Sequence, residues 1–260
     1  MGNEVIKIGN CSGYYGDKLS AAKDMVEGGP IDVLTGDYLA ELTMTILFNQ
    51  KLQRGEDKGY VGTFLKQIKD VAETCKKNNI KIVTNAGGLN PSSMANEIIN
   101  ILKEMSIDLK VAYIDGDDLM PRLEELKDQG EGFVNIDKNA TLNSTEHNLL
   151  TANAYLGAWG IKEALDEGAD IVVCPRVTDA AVVIGPAAWK FKWKRTDFDE
   201  LAGALAAGHI IVCGCRLQEE TTLFLKKCPL LSMLVTQSQK LKEMEVLQSQ
   251  NILELEAWFQ

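Results

Sequence analysis

Four charged side chains follow closely on short apolar runs: Asp37, Asp118, Arg176 and Asp179. Arg176 and Asp179 stand three residues apart. An arginine so placed can fork onto a carboxylate or phosphate, while the aspartate holds it or takes up a proton. The same pair also reads as a salt bridge that only fixes a turn. Asp37 and Glu41, one helical turn apart, form a carboxylate pair suited to acid/base work. The run Asp115-Gly116-Asp117-Asp118 offers oxygens for Mg²⁺ or for a general base, and equally the N-cap of the helix that follows. No metal set is assigned, and Mg²⁺ is the one cofactor these residue types suit. Asp37 or Asp118 is thus a candidate base. Arg176 is the candidate anchor for a carboxylate or stabiliser of an enolate.

Two glycine-bearing turns supply the neutral half of the chemistry. The turn Gly9 to Asp17 contains Asn10, Ser12 and Gly13, and the turn Asn85-Ala86-Gly87-Gly88-Leu89-Asn90 runs into Pro91. Backbone N–H groups in such loops can cradle phosphate or carboxylate ahead of a helix N-terminus. The alternative is structural: glycines for tight backbone angles, asparagines as caps. Gly9, Gly13 and Gly16 do not make the G-x-G-x-x-G dinucleotide fingerprint. The cysteines Cys11, Cys75, Cys174, Cys213, Cys215 and Cys228 contain no Cys-x-x-Cys pair, and only His147 and His209 accompany them, so zinc is poorly supported. Cys11 lies in the first turn, where a nucleophile can sit; with no histidine near it in sequence, it reads as a small, semi-buried side chain.

The elements that must position these residues are five apolar runs, each ending in a polar turn: Val5–Ile8, Ile31–Leu34, Ile80–Val83, Leu109–Ile114 and Ile171–Val173. Helical periodicity follows each turn, at 18–27, 39–52, 61–77, 91–105, 118–127 and 151–167, with a last helix at 199–207. A hairpin is expected around Phe133–Ile136, and His209–Cys213 reads as a sixth strand. Strand–helix alternation implies parallel pairing with right-handed crossovers. The expected fold is three-layer α/β, mainly parallel, Rossmann-like and doubly wound, with a partial (β/α) barrel as the alternative. In either, ligands bind at the carboxyl ends of the strands.

A chain of 260 residues can bury one large α/β core. Its formal charge of −10 argues against nucleic acid or anionic membrane as partner, because both call for a basic surface. The aromatic–lysine alternation at 189–194 is therefore read as an amphipathic edge. No run approaches the roughly 20 apolar residues of a membrane span, and the N-terminus lacks a signal-peptide pattern. Scattered cysteines fit a reduced compartment, cytoplasmic or mitochondrial. The expected partner is a small anionic molecule, with homo-oligomerisation left open.

Five segments together resemble the acyclic terpene utilisation (AtuA) family: IGNCSGYYGDKLSAAKDMVEGGPIDVLTGDYLAELTM, TNAGGLNP, IDGDDLMPRLEEL, LLTANAYLGAWGIKEALDEGADIVVCPRVTDAAVVIGPAAW and LAGALAAGHIIVCG. The resemblance implies breakdown of acyclic terpenes and related branched acids, which proceeds through acyl-CoA thioesters. It suggests hydratase- or lyase-type chemistry, or a non-catalytic subunit beside carboxylase-type enzymes. After GHIIVCG the family continues with a QATGGNYSF-like motif, whereas Cys215–Phe224 reads CRLQEETTLF. Suitable codons for that stretch, read from the third base, spell QATGGNYSF. Residues 1–214 are thus expected to form the AtuA-like domain. Residues 215–260 are expected to be a frame-shifted tail, helical around Leu241–Phe259 or disordered, and an inactive truncated product is a further alternative to the enzyme and subunit readings.

Overall fold

The computed structural model describes residues 5–142, 149–213 and 252–256. All five apolar runs form strands: β1 (Val5–Asn10), β2 (Val33–Gly36), β3 (Lys81–Thr84), β4 (Val111–Tyr113) and β5 (Ile171–Val173). They pair in parallel in the order β4-β5-β3-β2-β1. Side chains along them divide with a period of two. Leu34, Ile82 and Ile171 join one core, while Ile6, Ile8, Val33, Val83 and Val172 join the other. A sheet buried on both faces needs continuous Val/Ile runs, and this explains why the strands lack polar alternation.

Helices fill both faces. α1 (Ala21–Gly28), α3 (Gly62–Asn78) and α4 (Pro91–Glu104) close the first core through Met25, Phe64, Ile68, Met94 and Ile98. α2 (Glu41–Arg54) adds Met44 and Leu47 to it. α6 (Trp159–Asp166), α7 (Ala181–Phe191) and α8 (Phe198–Cys213) close the second through Ile161, Val183 and Ile211. The result is a doubly wound, three-layer α/β fold. The chain steps β1, β2, β3 in one direction, passes to β4 at the edge, then turns back to insert β5 beside β3. β3 therefore exits into α4 on one face, and its neighbour β5 exits into α7 on the other. That divergence opens a crevice at their carboxyl ends.

Several expectations are corrected. The helix expected over 151–167 begins only at Trp159. Residues 151–158 run instead as a strap whose backbone bonds sideways: Leu119 N–H to Ala152 O, Ala154 N–H to Asp117 O, and Leu156 N–H to Arg176 O. Over 118–127 the chain makes a 3₁₀ turn, Met120–Arg122, before α5 (Leu123–Asp128). His209–Cys213 is the last stretch of α8, not a strand: Ala204, Ala207 and Ile211 are buried at helical spacing. No hairpin forms at 133–136; the Asn135 side chain accepts from the Asp137 and Lys138 amides and makes a local turn. Within the expected helix Leu241–Phe259, residues Ile252–Glu256 are a strand, β6, antiparallel to β1. The remainder of 215–260 lies outside the described residues. No described helix is long and apolar enough to cross a membrane.

Candidate active site

Asp37 is the first residue beyond β2 and is 4% exposed. Its backbone N–H donates to Ser12 O at 3.0 Å, fastening the β2 turn to the β1 turn. Its Oδ1 accepts from Leu39 N–H at 3.4 Å and from Asn85 Nδ2. Asn85 is the first residue beyond β3 and is fully buried. Its orientation is set by its other end, because Asn85 Oδ1 accepts from Tyr38 N–H at 2.7 Å. Burial pushes the Asp37 carboxyl from the ordinary 3.8 up to about 6. The Asn85 hydrogen bond opposes that rise, the charge of Asp179 adds to it, and the Leu39 amide and Arg176 moderate it.

Arg176 reaches the same crevice from the β5 turn and is also 4% exposed. Nη1 donates to Leu39 O at 2.5 Å and lies 3.6 Å from Asp179 Oδ1; Nη2 lies 3.3 Å from Glu41 Oε1. Tyr155, from the strap, lays its ring 4.2 Å from the guanidinium carbon and donates its hydroxyl to Glu41 Oε1. Burial works against the arginine's charge, but Tyr155, Asp179 and Glu41 outweigh it and raise its pKa above the ordinary value. The Arg176 backbone is pinned as well. Its N–H donates to Asp117 Oδ2 at 3.2 Å, and Asn153 Nδ2 donates to the same oxygen at 2.8 Å. Burial raises the Asp117 pKa, with those two hydrogen bonds opposing.

The structure thus brings Asp37, Asn85, Arg176 and Asp179 together and places the other candidates around them. Asn10 and Ser12 are buried in the β1 turn. Asn10 Nδ2 donates to Ser12 O, and its Oδ1 accepts from Thr35 Oγ1. Gly13 donates to Asp17 Oδ2, and a Cβ there would come within 2.4 Å of Val212 O at the end of α8. Gly87 and Gly88 serve close packing. A Cβ on Gly87 would lie 2.6 Å from Cys174 O, and one on Gly88 2.4 Å from Leu47 Cδ1. The amides of Gly87, Gly88 and Asn90 all donate to backbone carbonyls. Asn90 caps α4 through Ser93 N–H and ties down the preceding loop through Glu56 O and Lys58 O. Asp115 and Asp118 are exposed, and Asp118 Oδ1 accepts from Met120 N–H. Among the described residues no three His, Cys, Asp or Glu side chains converge as a metal-holding group. Cys11 is buried against Tyr38, and burial pushes its thiol up to about 12, so it does not present a thiolate.

Three contributors were not singled out from sequence: Asp117, Asn153 and Tyr155. Asp117 stood within the recognised acidic run, but nothing local marks which of its three aspartates turns inward. Asn153 and Tyr155 fell within the expected helix, and the only available signal was the polar composition of that helix's first turns.

A carboxyl near pH 6 is mostly ionised at neutrality yet still basic enough to accept a proton from carbon, and a buried guanidinium beside it can hold a negative oxygen. A match to the model of the acyclic terpene utilisation family protein AtuA covers residues 6–234, running past Gly214. No curated protein and no solved structure matches the chain. The family match spans most of the sequence, and the chain belongs to the acyclic terpene utilisation (AtuA) family.

Proposed function

We propose that this AtuA-family chain acts on a branched organic acid or its acyl-CoA thioester, in hydration or lyase-type cleavage. Asp37 moves the proton at the carbon next to the carbonyl, and Arg176 holds the substrate's carboxylate or the enolate oxygen that develops. In hydration of an enoyl thioester, that carbon gains a proton and the next carbon gains the hydroxyl of water; lyase-type cleavage reverses such an addition. The observation that carries the reading is a buried aspartate beyond β2, its pKa raised to about 6, and a buried arginine beyond β5, with Asn85 beyond the intervening β3. Asn85 orients the base, and Tyr155 with Glu41 orients the arginine.

Calorimetric titration with branched enoyl-CoA thioesters and their free acids tests this, together with solvent-deuterium incorporation at the α-carbon followed by mass spectrometry. Wild type is expected to bind one of them and to exchange the α-proton faster as pH rises through about 6. Arg176→Lys is expected to lose at least tenfold in affinity, because a point charge cannot replace the fork. If no thioester or acid binds while a carboxylase-type protein does, the enzyme reading fails in favour of a subunit role.

A further inference from the structure

Charge is spread unevenly over this acidic chain. The seven residues from Trp189 to Arg195 hold four cations, Lys190, Lys192, Lys194 and Arg195, and no acid. Three of the chain's four tryptophans, Trp159, Trp189 and Trp193, take part in ring contacts at the same place. α7 ends at Phe191, and Lys192 turns the chain in the left-handed region, at φ +58°. Lys192 Nζ then reaches Asp166 Oδ1 at 2.7 Å, at one end of α6, and the Arg195 guanidinium carbon lies 5.0 Å from the centre of the Trp159 ring, at the other. Seven helical steps separate those two points, about 10 Å. Phe191 and Trp193 stack at 5.4 Å, and Lys192 Nζ also lies 5.9 Å from the Trp189 ring. Such cation–π contacts hold long side chains in place at a surface.

The acids nearby do not neutralise this patch. Asp166 is shared by Lys162 and Lys192, and Asp197 Oδ2 accepts from Lys194 N–H at 2.8 Å. Asp199 and Glu200 stand in the first turn of α8, where the helix dipole favours acids. Among the described residues no carboxylate is ion-paired with Lys190, Lys194 or Arg195, and Lys192, Lys194 and Arg195 are exposed. We infer that this patch docks an acidic segment of a partner protein, whose carboxylates meet Lys190, Lys194 and Arg195 and whose apolar atoms lie on Trp159 and Trp193. Tryptophan and arginine concentrate binding energy at interfaces, and cations already held on aromatic rings lose little freedom on binding. A span of about 10 Å matches about three residues of extended chain. A nucleic acid or an anionic bilayer runs beyond it and meets a chain of formal charge −10, whereas a short segment ends where the cations do. α7 carries Phe191 about 15 Å from Ala181, near the β5 turn, so docking there leaves the crevice open.

The test is fluorescence anisotropy of a fluorescein-labelled octapeptide of alternating glutamate and alanine, titrated with the full chain at low ionic strength. A lysine–alanine octapeptide, a single-stranded oligonucleotide and phosphatidylserine vesicles serve as comparisons. The glutamate peptide is expected to bind and to shift the tryptophan emission of the chain as it does so. The double variant Lys194→Glu, Arg195→Glu is expected to lose about tenfold or more in affinity. Lys66→Glu with Lys69→Glu makes the same change of charge at exposed positions of α3, on the opposite face of the sheet, and is expected to cost less than about twofold. All four positions are exposed, so both variants should melt within a few degrees of wild type. Failure of the glutamate peptide to bind, equal binding of the lysine peptide, or equal losses in the two variants overturns the docking site. Tighter binding of the oligonucleotide or the vesicles, lost in the Lys194, Arg195 variant, overturns it in favour of that ligand.

Discussion

Two aspartates at opposite ends of the same sheet meet opposite treatment. Asp170 stands just ahead of β5, at the amino ends of the strands. It accepts from Lys81 Nζ at 2.7 Å and from Lys110 N–H at 2.8 Å. Burial opposes its charge, but Lys81, the Lys110 amide and the nearby Lys76 outweigh burial and lower its pKa. Asp37, at the carboxyl ends, is buried more deeply and among the described residues has only amide donors on its carboxylate, so burial wins and its pKa rises to about 6. One end of the sheet neutralises its acid with a cation. The other, among the described residues, gives its acid no direct cation contact and leaves the carboxyl with a raised pKa. That contrast marks Asp37, and not Asp170, as the aspartate whose environment suits the proposed proton transfer.

The contrast can be broken most directly at Arg176. Arg176→Ala removes the cation that moderates Asp37 and leaves Leu39 O without its donor. Stability measured by urea unfolding is expected to fall by about 3 kcal/mol. A loss under about 1 kcal/mol would show that the arginine does not hold the crevice together.

Asp37→Asn sharpens the comparison by reversing the sign. Between about pH 4 and 6 the folded chain keeps a proton on Asp37 that the unfolded chain has released, so its ionisation makes stability fall as pH rises through that window. The shift from 3.8 to about 6 corresponds to about 3 kcal/mol above pH 6, from which the substitution should recover about 1–3 kcal/mol at pH 7.5 and almost none at pH 4. A variant less stable than wild type at pH 7.5 would sink the idea that Asp37 is strained by its charge.

The smallest effect is expected at the other end. Asp170→Asn should cost about 1 kcal/mol at neutral pH, because a charge-assisted hydrogen bond is lost. For a lowered pKa the contribution is present above the unfolded value and fades as pH falls through the folded one, so the cost should vanish in acid. Stability curves of the two aspartate variants relative to wild type, carried from pH 8 down to about pH 2, would thus slope in opposite directions, Asp37→Asn between about pH 4 and 6 and Asp170→Asn below about pH 4.

The strands were legible because burial on both faces demands uninterrupted Val and Ile, and the polar turns beyond them marked the rim. Asp37, Asn85 and Arg176 could each be read as strand-end residues, and the fold brings them together. What sequence could not supply is orientation within a turn. In Asp115–Asp118 only Asp117 turns inward. Gly116, at φ +95°, redirects the chain just before it. Periodicity also misled where lateral bonding replaced helical bonding, at 151–158. It misled again at His209–Cys213, where an apolar run continued a helix already begun at Phe198. Short apolar runs do not distinguish a buried strand from a buried helical turn.

The Asn85 side chain has a consequence for the symmetry of the Asp37 carboxyl. With its oxygen committed to Tyr38 N–H, the amide must aim its nitrogen at Asp37 Oδ1, which Leu39 N–H also reaches. Among the described residues no hydrogen bond is directed at Oδ2. The two oxygens are therefore chemically distinct: Oδ1 is the anchored atom, and Oδ2 is the one that the proposed reaction leaves for the proton. In the proposed reaction a substrate must therefore bring its reacting carbon to one atom, on the side of the carboxyl turned away from Asn85 and Leu39.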